Sequence, residues 1–451
     1  MNKTPTLRKK DLAAIWHPYT RKTAIESEQF PVIDRAKGIH LFDTDGKKWV
    51  DAISSWWCCN LGHSNRQITN AIKKQISKLQ HSILGNMSHT PAIELAWMIT
   101  RLFPDKQSKV LFCSDGSSSV DAALKIAVQY WSNVGKTQKN RFISFSEAYH
   151  GDTVGAISAG FLPVFHKHYK DLCFKVRRVE SPCCGKCSFG LQPDTCRLQC
   201  FTVMRNAIKA HASTTAAVII EPLCQAAGGM RMYSPRYLKS LAQECRRNKV
   251  LLIVDEIAMG MFRTGKMFAF DHAGIAPDIT CIGKGLSGGY LPISAVIAKN
   301  SIFRTFTDSP VDKTFYHGHT FGGNPIACAA AIEALKIYSK TSFAKAVGQK
   351  AKIMRDAFSR LLPNPAIADL RTLGLIAAVE FKGKLGLIIS QEIRRRMLDG
   401  GVLIRPLGNV VYLMPPLVIS CTELKRLCSV FVNAINISLN KGVKRVRKQH
   451  Q

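Results

Sequence analysis

Ile282-Gly283-Lys284-Gly285-Leu286-Ser287-Gly288-Gly289 follows directly on the apolar run Asp278-Ile279-Thr280-Cys281-Ile282. One lysine therefore stands among glycines at the end of a strand pattern. Upstream, a second apolar run at 250–254 ends in Asp255-Glu256. An acid buried after one strand is costly unless it is paired. A lysine flanked by residues without side chains has room for a flat ligand. The pair is what a pyridoxal phosphate enzyme needs. The lysine amine condenses with the cofactor aldehyde, and the acid keeps the pyridine nitrogen protonated so that the ring draws electrons.

The surrounding pattern supplies a scaffold for such a pair. Short apolar runs at 110–113, 141–145, 216–220, 250–254, 279–282 and 292–298 read as strands, and 117–132 and 234–247 have helical periodicity. Near-continuous apolar strands alternating with helices predict a mostly parallel sheet covered on both faces. Ligands bind such sheets at the carboxyl ends of the strands, where Asp255 and Lys284 both fall. Before this region, 31–53 alternates strand patterns with turns such as Asp45-Gly46, predicting a small N-terminal sheet. Helices are expected at 65–80 and 91–103, the second capped by Thr90 before Pro91. Residues 325–361 read as helical and able to link domains. After them, strands at 375–381 and 410–413 with helices at 387–399 and 422–438 predict a second α/β domain.

At 451 residues the chain is too long for one small core. Hydrophobic content of 46% and charged content of 21% fit an ordinary globular enzyme. No apolar run reaches the length of a membrane span. The basic stretch Met1 to Lys10 lacks the apolar segment of a secretory signal. Fifteen cysteines without such a signal argue for reduced thiols in the cytoplasm. The net charge of +32 would suit a nucleic-acid-binding protein. The basic residues are scattered, however, with dense runs only near the two ends, and no recognition motif accompanies them. The run 441–448 reads as a frayed tail.

Further residues join the pair. Ser114-Asp115-Gly116-Ser117-Ser118-Ser119 follows a strand and opens a helix, whose free N–H groups can hold a phosphate. The plain alternative is a serine-rich helix cap. Tyr149-His150-Gly151-Asp152 follows the strand at 141–145, where an aromatic can stack on a flat ring or simply fill the core. For Asp255 the alternative to a pyridinium is a salt bridge to Arg263. Arg405, at the end of Val402-Leu403-Ile404, suits two-pronged carboxylate recognition or is a surface arginine.

Together these residues resemble the class III aminotransferases of pyridoxal phosphate fold type I, across nearly the whole chain. Ile15-Trp16-His17-Pro18-Tyr19-Thr20, Ser54-Ser55-Trp56-Trp57, Tyr149-His150-Gly151-Asp152-Thr153, Gly228-Gly229-Met230-Arg231-Met232-Tyr233, Ile404-Arg405-Pro406 and Tyr412-Leu413-Met414-Pro415-Pro416 resemble one branch of that family. That branch moves an amino group from S-adenosylmethionine to 8-amino-7-oxononanoate in biotin synthesis.

The resemblance implies an α/β fold with a mostly parallel seven-stranded sheet and a smaller α/β domain formed by both termini. On that plan, residues 1–60 start the small domain, 61–335 form the large cofactor-binding domain and 336–451 complete the small one. It further implies that Lys284 carries pyridoxal 5'-phosphate, that Asp255 pairs with the pyridine nitrogen and that Tyr149 covers the ring. Gly116 and Ser117 would bind the phosphate. Thr320 would reach the phosphate of a neighbouring subunit, making the enzyme a homodimer. Tyr19, Trp56 and Gly318 would shape the substrate pocket, and Arg405 would take the substrate carboxylate.

Two departures stand out. Where the family usually has proline, this chain has His319, which can donate a hydrogen bond and bring a cation to the phosphate. Within 181–200, Cys184, Cys187, Cys196 and Cys200 are spaced so that four thiolates could hold zinc or an iron–sulfur cluster, or merely pack in a surface loop. Lysine as amino donor, or a general ω-aminotransferase of the ornithine or 4-aminobutyrate type, remain alternatives within the family. Trp56-Trp57 and the Trp16-His17-Pro18-Tyr19-Thr20 segment speak against the latter.

Overall fold

The computed structural model describes residues 3–27, 30–192, 195–308, 310–361 and 364–449. Its centre is a seven-stranded sheet whose strands we number β1 (Lys109–Cys113), β2 (Arg141–Phe145), β3 (Arg177–Val179), β4 (Thr215–Ile220), β5 (Leu251–Asp255), β6 (Ile279–Ile282) and β7 (Ser294–Ala298). The spatial order is β1-β7-β6-β5-β4-β2-β3. The neighbouring pairs among β2 to β6 are parallel, and β7 runs antiparallel between β6 and β1.

Every residue of β4, β5, β6 and β7 is buried. Alternate side chains of one strand go to opposite faces, which is why both faces must be apolar. Val218, Ile220, Leu252 and Val254 join the core on one side, while Ala217, Ile219, Leu251 and Ile253 join the core on the other. Each buried valine, leucine or isoleucine among them contributes about 1.5–3 kcal/mol. The helix Gly116–Asn133 covers the second face through Val120, Ala123, Leu124, Ala127 and Trp131.

Strand β3 escaped the sequence reading. It sits at the sheet's edge, and Arg177 and Arg178 are exposed, so it lacks an apolar run. A charged edge strand resists pairing with other chains. The helix Thr90–Leu102 is capped by the His89 ring, which accepts from the Ala92 N–H at 3.2 Å, not by Thr90. Residues 325–361 divide into the helices Pro325–Tyr338 and Thr341–Phe358 and a short 3-10 turn. The basic run near the C-terminus, expected as a tail, continues the last helix, Cys421–Gln449.

Both ends of the chain meet in one sheet. Ile33–Lys37, His40–Asp43 and Lys48–Asp51 form a meander, and Val402–Leu403 adds to it parallel to Lys48–Asp51. A separate antiparallel sheet comprises Ile367–Leu373, Ile376–Phe381 and Val410–Leu413. Its first strand, rich in polar residues, was also missed. Arg263 ties the parts together. Fully buried, it donates to the carbonyl of Pro415 at 2.7 Å, to Asn60 Oδ1 at 2.6 Å and to Ser54 Oγ at 3.1 Å. Among the described residues no helix is long and apolar enough to cross a membrane.

Candidate active site

The carboxyl ends of β1, β2, β4, β5 and β6 all open on one side of the sheet, and a cavity of about 490 Å³ lies there. Asp115, Gly116 and Ser117 line it after β1, Tyr149 to Thr153 after β2, Glu221 after β4, Asp255 at the end of β5, and Lys284 after β6. Trp57 closes it from the N-terminal segment.

Lys284 opens a short 3-10 turn with φ of 42°, a left-handed conformation that is rare outside glycine. Its Nζ lies 5.4 Å from the centre of the Trp57 ring. Burial lowers its pKa, and Asp255 and Glu221 oppose part of that fall. A lysine with a lowered pKa is a better nucleophile and base near neutrality. Gly285 is small for a reason of its own, since a Cβ there would meet Asn60 Nδ2 at 2.4 Å.

Asp255 is buried and accepts from His150 Nδ1 at 2.7 Å, with the Ile257 N–H bonding its other oxygen at 3.1 Å. The alternative pairing with Arg263 is not made. His150 Nε2 is buried with no hydrogen-bond partner among the described residues. Glu221 is a neighbour that the sequence reading passed over, although it ends an apolar strand just as Asp255 does. Burial pushes its pKa up to about 7; His150 pulls it down and Asp255 adds to the rise. It accepts from the N–H groups of Tyr149 at 3.1 Å and Ala226 at 3.0 Å, fixing the backbone that presents the tyrosine ring.

At the head of the helix Gly116–Asn133, Asp115 caps the Ser118 N–H at 3.0 Å. The N–H groups of Gly116 and Ser117 belong to the open first turn. Ser117 Oγ is held by Thr153, whose N–H donates to it at 2.8 Å. Gly151, with φ of 121°, lets the two loops touch, because a Cβ there would lie 2.4 Å from Ser117 Oγ. A helix start facing the cavity, with an acid and a lysine on adjacent strands, fits a phosphate-bearing pyridine aldehyde in shape and charge.

A polar and aromatic rim surrounds the opening. The hydroxyls of Tyr19 and Tyr149 are 3.4 Å apart, and both donate to Asp152. Burial would raise the Asp152 pKa, but the His166 ring 3.6 Å away and hydrogen bonds from Tyr19 and Tyr149 hold it below the usual carboxylate range. Burial and the bond to Asp152 push Tyr19 up to about 12. Tyr149 is raised too, chiefly by burial. The Arg405 guanidinium lies 4.0 Å above the Trp56 ring, and the Tyr19 and Trp56 ring centres are 5.7 Å apart. His319 approaches the start of the helix Gly116–Asn133 through Ser114, with Nδ1 3.3 Å from Ser114 Oγ. Gly318 and Thr320 are exposed and do not line the cavity of this single chain.

The cysteine insert behaves differently. Cys183, Cys184, Cys187, Cys196 and Cys200 line one small space of about 40 Å³. Among the described residues no three thiol, imidazole or carboxylate groups are placed to hold a metal ion. The ligand set considered from Cys184, Cys187, Cys196 and Cys200 is therefore not assembled. Instead the insert grips the C-terminal sheet. Lys186 pairs with Glu380, and Arg371 donates to Cys183 Sγ at 3.8 Å while bridging Asp369 and Glu380 at 2.8 Å each.

The family described as Aminotransferase class-III matches residues 23–435. An adenosylmethionine-8-amino-7-oxononanoate aminotransferase of Geobacter sulfurreducens is 36% identical over 435 residues, covering 93% of this chain and 95% of the relative. The crystal structure of the enzyme of that name from Methanocaldococcus jannaschii superposes with a TM-score of 0.89 at 34% identity, covering 96% of this chain and 99% of the other. An omega transaminase from Pseudomonas jessenii, solved in complex with PMP, gives a TM-score of 0.90 at 29% identity over 96% of this chain and 98% of its own.

Proposed function

The chain belongs to the class III aminotransferases, and we propose that it moves an amino group from S-adenosylmethionine to 8-amino-7-oxononanoate, giving 7,8-diaminononanoate for biotin synthesis. The observation that carries this reading is the near-full-length similarity to relatives bearing that name. On this reading the enzyme acts in the cytoplasm, as a homodimer, with pyridoxal 5'-phosphate.

The cofactor, when bound, supplies a carbonyl for the amine and an electron sink for the carbon beside it. Lys284 anchors it and, once released, takes the proton from the amine-bearing carbon of the donor at Nζ. Its lowered pKa suits that task. Asp255, held by His150, pairs with the ring nitrogen, and Tyr149 covers the ring. Gly116 and Ser117 hold the phosphate, and Thr320 and His319 serve the phosphate at the subunit boundary. Arg405 takes the substrate carboxylate, with Trp56 and Tyr19 beside it as an apolar wall for the carbon chain. Gly318, away from this chain's own cavity, touches substrate across the subunit boundary. Donor and acceptor use the same pocket in turn, so the kinetics are ping-pong.

The test is a half-reaction watched through the cofactor's absorbance. S-adenosylmethionine converts it, and 8-amino-7-oxononanoate restores it. Conversion by lysine alone would replace the donor. Conversion by ornithine but by neither of those would overturn the substrate assignment and leave the family intact.

A further inference from the structure

Ser54, Ser55, Trp56 and Trp57 form a run of four non-glycine residues with positive φ, at 51°, 45°, 78° and 71°. Such a run is strained and persists only where neighbours hold it. Asp51 does so, accepting from the Ser55 N–H at 2.9 Å and from Ser55 Oγ at 2.8 Å. The turn delivers the next two residues, Cys58 and Cys59, with their sulfurs 3.9 Å apart. Cys58 is partly exposed and Cys59 is buried. Gly289 makes space for the second thiol, since a Cβ there would lie 2.7 Å from Cys59 Sγ. We propose that Cys58 and Cys59 form a dithiol site that captures trivalent arsenicals, next to the active-site residue Trp57.

The geometry favours a bridging atom over a direct bond. Adjacent Cα atoms are about 3.8 Å apart across a trans peptide, short of the roughly 4.4–6.8 Å that disulfides span. A soft centre with bonds of about 2.3 Å, the length thiolates make to zinc, bridges sulfurs 3.9 Å apart at an angle of roughly 115°. Zinc itself needs further ligands, and among the described residues no group of three is placed to supply them. A trivalent arsenical needs only two. Two S–H bonds and the As=O bond break, two As–S bonds form, and the oxygen leaves as water with both thiol protons, with no change of oxidation state.

The first capture step falls to Cys58. Its hydrogen bond with Cys59 lowers its pKa against the effect of burial. The thiolate is the reactive form. Cys183 and Cys184 are also adjacent in sequence, but Cys183 Sγ is turned to the Arg371 guanidinium.

The test treats the cofactor-loaded enzyme with phenylarsine oxide and maps the adduct by peptide mass spectrometry. The expected result is one arsenic on the peptide holding Cys58 and Cys59, with two thiols lost. 2,3-Dimercaptopropanol removes it and excess 2-mercaptoethanol does not. Cys58→Ser and Cys59→Ser each weaken capture by about 100-fold or more, because the second bond is intramolecular. Should Cys59→Ser fold poorly, Cys58→Ser at the partly exposed position gives the same reading. Mapping of the arsenic to the 183–200 insert, or undiminished capture by the Cys58→Ser enzyme, overturns the proposal.

Discussion

The rim of the central sheet and the cysteine insert both gather residues able to bind a ligand, and only the rim brings them into direct contact. At the rim, His150 and Asp255 are 105 positions apart in sequence and 2.7 Å apart in space. In the insert, the thiols lie within one short stretch, yet among the described residues they do not assemble a metal site. Parallel topology explains the difference. Every strand of β2 and β4 to β6 ends on the same side, so the residues after each are forced together whatever separates them in sequence. Sequence spacing within a loop imposes no such convergence. The insert's contacts instead fasten it to Arg371 and Glu380 of the C-terminal sheet, with Asp369 completing the ion-pair cluster.

The largest expected effect sets the two regions furthest apart. Lys284→Ala should slow the half-reaction by about 10⁴-fold or more, since anchor and base are lost together. Cys184→Ser and Cys187→Ser should leave it unchanged. A comparable loss in either cysteine variant, followed by stopped-flow absorbance, would erase the distinction. Asp255→Asn should cost about 10²- to 10³-fold in kcat by removing a fixed charge from a dry site. Steady-state kinetics with the cofactor saturating would check it.

The insert should matter to stability instead. Arg371→Ala leaves the buried Asp369 without its counter-charge and Glu380 with Lys186 alone, at a cost of about 3–5 kcal/mol in denaturant unfolding. A chelator should shift the unfolding temperature by no more than about 1 °C, because among the described residues no three ligating groups converge to hold an ion that would stabilise the fold by mass action. A larger drop would place a metal in the insert.

The smallest effect concerns pH. Glu221 is raised from its ordinary 4.5 to about 7 by burial. The folded protein therefore keeps a proton that the unfolded chain releases between those values. The associated stability is complete below about pH 4.5 and is lost as pH rises through about 7. Glu221→Gln should flatten that slope in unfolding midpoints taken from pH 5 to 8, and an unchanged slope would assign the titration elsewhere.

The same contrast explains what the sequence disclosed. Strands β4 to β7 were legible because burial on both faces demands unbroken apolar runs. Strand β3 was not, because an edge tolerates Arg177 and Arg178. Asp255 and Lys284 could be read from the cost of placing charge at a buried strand end. Glu221 carries the same signal and was overlooked, and the His150–Asp255 contact depends on topology that no local pattern contains. Arg405 could be read as a carboxylate binder from its place at a strand end, whereas Tyr19 and Trp56 were legible only through family resemblance, since the arginine they pack with lies at the other end of the chain. Gly318 and Thr320 are exposed and do not line this chain's own cavity.

The parallel pairing of Val402 with Val50 has a consequence for synthesis. Translation is directional, and roughly 350 residues separate the two partners. At about 5–20 residues per second, the N-terminal strands wait on the order of 20 to 70 s on the ribosome before their last neighbour emerges. Through that interval the sheet edge beside Lys48–Asp51 stands uncovered, and Arg263 lacks the Pro415 carbonyl it will later bind. A nascent chain stalled before residue 400 would hold its lysine and its acid yet lack Arg405, and it would be a substrate for chaperones before it could act as an enzyme.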